Sequence, residues 1–267
     1  MTDTVVSLRA ATQDHSLRAE HRLHLRCELT YENVRSRFEE LSLDPLVGLA
    51  SLMDHSPGQR QFADLDKYRT YYQGKYGMDD NAMTAFMDRQ LAAQARFATD
   101  HRAHLVELCR ERATVLASHD DETVDHVAQA ADEGIRIAEF PTTMEAAQAA
   151  RDQGMGILMG SPNVVLGGSQ SGNISARDLA AEGLLDVLSS DYIPASMLEA
   201  AFLLPKAVPG IELPQSVAMV SANPAALLGL DDRGAIAVGR RADLLRVAIH
   251  GSQPLLRTVW RGGERAY

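Results

Sequence analysis

Cysteine is scarce in this sequence. Two occur in 267 residues, Cys27 and Cys109, with no Cys-X-X-Cys spacing. Two distant thiols supply neither a disulfide framework nor a cysteine-based zinc site, and they fit a reducing compartment, so a cytoplasmic location is expected. Long apolar runs are missing too. None reaches the ~18 residues that would span a bilayer. The opening stretch MTDTVVSLRAATQDHSLRAEH has no apolar core of the kind a secretory signal carries, so neither a signal peptide nor a membrane partner is expected. Positive charge is in deficit, with 26 Lys and Arg against 36 Asp and Glu and a formal net charge of -10. Such a chain repels a phosphate backbone, which argues against nucleic acid as a partner but allows a local cationic site. Repeats and low-complexity tracts are absent as well.

What remains is an alternation of strands and helices. After a helix read over 3–18, HRLHLRCEL (21–29) places Leu23, Leu25 and Cys27 on one face and His24, Arg26 and Glu28 on the other, a strand with one polar face. VGLASLMDH (47–55) and ATVLASHDD (113–121) are continuous apolar runs, as expected of strands buried on both faces. The pattern repeats at 135–140, 156–162 and 185–192, with helices between, including a long one over 79–112 that either pads the barrel wall or forms a lid over the site. This order predicts an α/β fold with a parallel sheet, a partial (β/α)8 TIM-like barrel of six strand segments where eight would close it. A helix over 213–228 and a tail of short strands complete the chain. The expected domains are an incomplete barrel over 1–228 and a small C-terminal β appendage over 229–267.

Polar residues gather at the C-terminal ends of the strands, the edge where barrels of this kind do chemistry. Glu28, His55, His119 and Asp191 stand at four such ends. A single strand-end histidine is usually structural. Four such residues together make a set suited to zinc or manganese, with Asp191 either a proton acceptor or a ligand. His24 reads as a satisfied core histidine, Asp120 and Asp121 as acids opening a helix.

Two further stretches look able to meet an anion. The loop after His55 is dense in cations, Arg60, Lys67, Arg69 and Lys75, which elsewhere would be solvated surface. SPNVVLGGSQSGNISARDLAAEG (161–183) offers Asn163, Gly167, Gly168, Ser169, Ser171, Gly172 and Asn173 ahead of a helix near Ser175. Backbone amides in such a loop can face an anion, though an ordinary loop with a Ser175/Asp178 cap explains it equally.

The tail GAIAVGRRADLL resembles the closing signature of the amidohydrolase superfamily, whose barrels carry a binuclear metal site and a small β-sandwich. AEHRLHLRCEL, LMDHSPGQRQF, YYQGKYG, LASHDD, AEFPTT, MGSPNVVLGGSQSGN and LSSDYIPASML are similar to the sugar-triphosphate diphosphatases of the carbon–phosphorus lyase pathway. The likeness runs from about Arg18 to the end. It implies hydrolysis of the triphosphate of ribose 1-methylphosphonate 5-triphosphate, releasing pyrophosphate and leaving the 5-phosphate. It further implies that Glu28, His55 and His119 are metal ligands and that Asp191 is the catalytic acid of the last barrel strand; beside it, the chemistry of the two loops makes Arg60, Lys67, Arg69, Lys75, Asn163, Gly167, Gly168 and Ser169 the groups expected to bind phosphate. The opening part of the family pattern has no counterpart here, and no His-X-His motif occurs. At most half of a binuclear site is therefore expected. The isolated chain is expected to turn over poorly, and its open strand edges favour a homo-oligomer. The competing expectations are a cyclic-amide hydrolase of the same superfamily, which has no need of the cationic and Gly/Ser loops, and an inactive remnant that only binds partner proteins.

Overall fold

The computed structural model describes residues 2–62, 64–169 and 172–267. Ser171, one of the loop residues singled out above, lies outside the described residues. By contact the chain divides into two compact units, one of Leu23–Ala149 and one of Met1–Arg22 with Ala150–Tyr267. The opening helix α1 (Thr2–Gln13) belongs to the second.

In the first unit, β1 (Leu23–Glu28), β2 (Val47–Met53), β3 (Val115–His119) and β4 (Ile137–Glu139) are parallel and lie side by side in that order. Between them run α2 (Val34–Leu41), α3 (Leu65–Tyr76), α4 (Asp80–Glu111) and α5 (Val124–Asp132). β1 alternates as its sequence requires, with Leu25 and Cys27 buried and His24 and Arg26 exposed. β2 and β3 are covered on both faces towards their ends, which is why they read as unbroken apolar runs. The long α4 buries Leu105, Val106 and Cys109 at helical spacing and starts at Asp79, whose side chain accepts from the Ala82 amide at 2.8 Å.

The segment after His55 is not the loop expected from its charges. Asp64 caps a helix there, accepting from the amides of Asp66 (2.9 Å) and Lys67 (3.2 Å), and Gly77 closes it in the left-handed conformation at φ 65°. α3 packs on α4 through Phe62, Tyr68, Met83 and Met87, with Tyr72 and Phe86 against them. Those rings, not the cations, hold the segment in place.

α6 (Met144–Asp152) spans the division between the units. The second unit continues with β5 (Gly156–Gly160), α7 (Ser161–Leu166), α8 (Ala176–Ala181), β6 (Val187–Ser189) and α9 (Ser196–Ala207), with β5 and β6 parallel. A Cβ on Gly156 would stand 2.5 Å from Leu227 Cδ1, so the glycine makes room for that side chain. The single helix expected over 213–228 is two, α10 (Leu213–Ala218) and α11 (Ala222–Leu227). Ser221 leaves helical geometry at φ -142°, ψ -81°, and Pro224 has no amide to continue a ladder. The tail forms an antiparallel sheet of β7 (Leu244–His250), β8 (Gln253–Arg261) and β9 (Glu264–Arg265). Glu20 binds Arg233 (3.3 Å) and Arg241 (2.5 Å), and Arg261 donates to the Leu17 carbonyl at 3.1 Å, which ties residues 17–22 to the tail.

Six parallel strands interleaved with helices, plus the small antiparallel sheet, make up the α/β partial barrel that the sequence predicted. Among the described residues, no helix is long and apolar enough to cross a membrane.

Candidate metal centre

Strand register assembles the site. Glu28 lies opposite Met53 across β1 and β2, and His119 lies opposite Glu139 across β3 and β4. Side chains at paired positions share a face of the sheet, so the polar ends of β1, β3 and β4 reach one rim. His55 follows β2 by two residues. Its Nδ1 hydrogen-bonds Glu28 Oε2 at 2.6 Å, and its backbone amide donates to Glu28 Oε1 at 3.2 Å. His119 repeats the arrangement, with Nδ1 on Glu139 Oε2 at 2.7 Å. Ser51 Oγ donates to the same oxygen at 2.7 Å and is itself hydrogen-bonded to His24 Nε2. His24 is thus partnered, as expected, but sits on the exposed face of β1 and not in the core.

A carboxylate on each Nδ1 fixes both rings and leaves both Nε2 atoms turned elsewhere. They turn towards Asp120, whose Oδ2 is 3.5 Å from His55 Nε2 and 3.4 Å from His119 Nε2. Asp120 is not the first residue of a helix. α5 begins at Val124, and Thr123 is its cap, accepting from the His126 amide at 3.2 Å. Asp120 instead occupies left-handed backbone at φ 56°, costly for a residue with a side chain, and its amide donates to the Glu139 carbonyl at 2.9 Å. That turn drives the carboxylate into the cluster, where Oδ2 is buried without a hydrogen bond. An orphaned carboxylate oxygen costs about 1–3 kcal/mol or more.

Electrostatics follow the geometry. Burial works against a charge on His55, but Asp120 and Glu28 outweigh it and raise its pKa to about 9. Burial would raise Glu139, yet the hydrogen bond and charge of His119 draw it down to about 2. Arg26 Nη2 lies 3.0 Å from His119 Nε2, a cationic donor on the lone pair that a metal would use.

One ligand atom each from His55, His119 and Asp120 falls within a 4.8 Å span. Two imidazole nitrogens oriented from behind, with a buried carboxylate oxygen between them that pairs with His55 while that ring is protonated, fit a divalent cation that would take the place of the proton. Glu28 is in contact with this set but spends both oxygens on His55.

The other expected residues divide by unit. Arg60 is buried in left-handed backbone at φ 47°, paired with Asp121 and donating to the His119 carbonyl at 3.0 Å. It braces the turn that carries His119 and Asp120. Lys67, Arg69 and Lys75 lie on α3, with the Lys75 ammonium over Tyr71, Tyr72 and Tyr76 at 5.4, 5.9 and 5.4 Å. Asp191 belongs to the second unit, following β6 at φ 47° and packing so closely on Gly160 that a Cβ there would stand 3.1 Å from its Oδ2. In the same unit the Gly167 and Gly168 amides both donate to the Asn163 carbonyl at 3.1 Å, and Asn163 Oδ1 accepts from the Ala176 amide at 2.9 Å. These bonds close helix ends; Ser169 follows in the same segment.

Asp120, Glu139, Arg26 and Ser51 were not singled out from the sequence. Glu139 obeys the same strand-end rule as His119 and was legible. Asp120 was hidden because an acid before a helix ordinarily reads as part of its first turn.

Comparison with known proteins bears on the family and the fold. The amidohydrolase family pattern matches residues 62–266. The alpha-D-ribose 1-methylphosphonate 5-triphosphate diphosphatase of Escherichia coli (strain K12) is 52% identical over 251 residues, 94% of this chain and 66% of that protein. The chain therefore spans just under two thirds of the relative's length. A solved amidohydrolase from Thermotoga maritima MSB8 superposes with a TM-score of 0.52 at 17% identity, over 92% of this chain and 62% of that one.

Proposed function

The chain belongs to the amidohydrolase family, and from that premise we propose that it carries the hydrolytic centre of a metal-dependent diphosphatase. The substrate class is that of its relative, a ribose 1-methylphosphonate bearing a 5-triphosphate, cleaved to the 5-phosphate and pyrophosphate. The observation that carries this reading is the convergence of His55 Nε2, His119 Nε2 and Asp120 Oδ2.

In this reading those three groups hold a divalent cation, zinc before manganese, since two imidazoles and a carboxylate suit both. Such a cation supplies Lewis acidity and neutralises phosphoryl charge at neutral pH. Glu28 and Glu139 fix the tautomers, each accepting the Nδ1 proton so that Nε2 presents its lone pair. Arg26, whose Nη2 lies 3.0 Å from His119 Nε2, would be a donor to a phosphoryl oxygen beside a bound cation. Asp191 remains the acid proposed to take the proton of the attacking water. Lys67, Arg69 and Lys75 on α3, with Ser169, are the groups proposed to meet the triphosphate, and Arg60 acts by positioning the His119 turn. Residues 1–228 are proposed as the barrel portion and 229–267 as the β appendage. A cytoplasmic homo-oligomer fits two buried thiols and the exposed apolar side chains of the tail, such as Ile236 and Leu245.

The test is to purify the chain, measure bound zinc and manganese, and assay pyrophosphate release beside a His119→Ala control. Stoichiometric metal with slow release, both lost in the control, is expected. A folded chain that binds no metal and releases nothing overturns the reading.

A further inference from the structure

A cavity of about 320 Å³ lies in the first unit, between the middle of α4, one face of α5 and the turn after β2. Two guanidiniums border it, Arg60 and Arg102, each more than nine-tenths buried at 6% and 7% exposure. Buried cations are costly and are placed where something answers them. Among the described residues, each is answered on one edge. Arg60 uses Nη1 for Asp121 and the His119 carbonyl. Arg102 uses Nε (2.8 Å) and Nη2 (2.7 Å) for Glu133.

The acids on the wall are already occupied. Asp54 accepts from the Ser56 amide at 3.0 Å and from Gln94 Nε2 at 3.2 Å. Glu133 accepts from Gln129 Nε2 at 3.3 Å besides Arg102. A cation would meet carboxylates that have donors and guanidiniums that repel it. The remaining groups donate. His126 accepts the Glu122 amide on Nδ1 at 3.3 Å, so its proton sits on Nε2. Burial first, and then the field of Arg60, hold that imidazole below its ordinary pKa against the opposing fields of Asp121 and Asp125. Thr99 and Gln59 add a hydroxyl and an amide.

We propose that this cavity is an oxyanion site, taking inorganic phosphate or pyrophosphate between Arg60, Arg102 and His126, separate from the metal cluster. Guanidiniums recognise such oxygens through paired, charge-assisted hydrogen bonds. The claim does not depend on the metal reading, because both anions can be titrated into metal-free protein.

The experiment is calorimetric titration of the chelator-treated full chain with inorganic phosphate and, separately, with pyrophosphate, at low ionic strength. Two variants accompany it. Ala98→Phe fills the cavity without changing charge, and Arg102→Met combined with Glu133→Gln removes an ion pair without leaving either partner alone. Saturable binding of at least one anion is expected, weakened roughly tenfold or more in both variants and weakened by added salt. Whichever anion binds identifies the occupant. Absence of saturable binding by both anions overturns the proposal, as does binding that a folded Ala98→Phe chain retains in full.

Discussion

Two regions of this chain carry the same kinds of residue just beyond parallel strands and use them in opposite ways. Around β1–β4, Glu28 and Glu139 each engage one face of an imidazole, and the opposite nitrogens of His55 and His119 converge on an Asp120 oxygen that makes no hydrogen bond. After β5, Asn163 takes the Gly167 and Gly168 amides and the Ala176 amide, Ser175 accepts from the Arg177 amide at 3.1 Å, and Arg177 Nε donates to the Val164 carbonyl at 2.9 Å. The second region spends these loop amides on itself, though Ser161 Oγ and Ser189 Oγ are buried there without a hydrogen bond, while the first leaves a buried carboxylate oxygen beside two imidazoles without one. Residue type at a strand end therefore does not make a ligand site. Buried polar atoms whose own structure leaves them unspent do, because their desolvation is offset only when something else binds.

The largest expected effect is at His119. His119→Ala strands Glu139 with Ser51 alone, in a position 5% exposed. Removing one partner of a buried charged pair costs about 3–5 kcal/mol, read as a fall in the urea midpoint, and metal content should drop to background. Full metal content in a folded variant would mean that Nε2 is not a ligand. Next in size are the two orienting acids. Glu28→Gln and Glu139→Gln keep shape but weaken the hold on Nδ1, and each should lower metal affinity about 10–100-fold. Asn163→Ala should leave that affinity unchanged. An equal loss in all three variants would break the contrast between the regions.

Gly167→Ala sharpens the contrast from the other side. Gly167 stands at φ 79°, and an added Cβ would lie 3.2 Å from Arg177 Nη1. Left-handed strain at a helix end costs about 1 kcal/mol, with more for the contact. A lower melting temperature with unchanged metal affinity is expected. Weaker metal binding would show that this segment takes part in the site after all.

Much of this was legible in advance. Alternation in β1 and the apolar runs of β2 and β3 report burial on one or both faces, so strand number and polar rim follow from the sequence. His55 and His119 follow too, because polarity at a strand end is a one-residue signal. Asp120 was not legible, since its role depends on a positive φ set by the Glu139 carbonyl, 19 residues on in the chain. Arg60 read as a loop cation placed to meet an anion, and its buried pairing was not legible because the partner, Asp121, is 61 positions away. The glycines after β5 were ambiguous for the same reason: only the fold shows that Asn163 has taken their amides.

The smallest effect is expected at Lys75. Its ammonium rests over three tyrosine rings on exposed helix surface, a contact worth about 0.5–1 kcal/mol. Lys75→Ala should therefore move the urea midpoint slightly and leave metal affinity alone, while raising KM for a triphosphate substrate if the charge meets phosphate. The aromatic cluster should survive, because Tyr68 and Met83 are fully buried within it. An unchanged KM would remove Lys75 from the phosphate set and leave it as a cap on the tyrosines. A large loss of stability would mean that the cation, and not the rings, fixes α3, and the account of that helix as an aromatic-held element would fail.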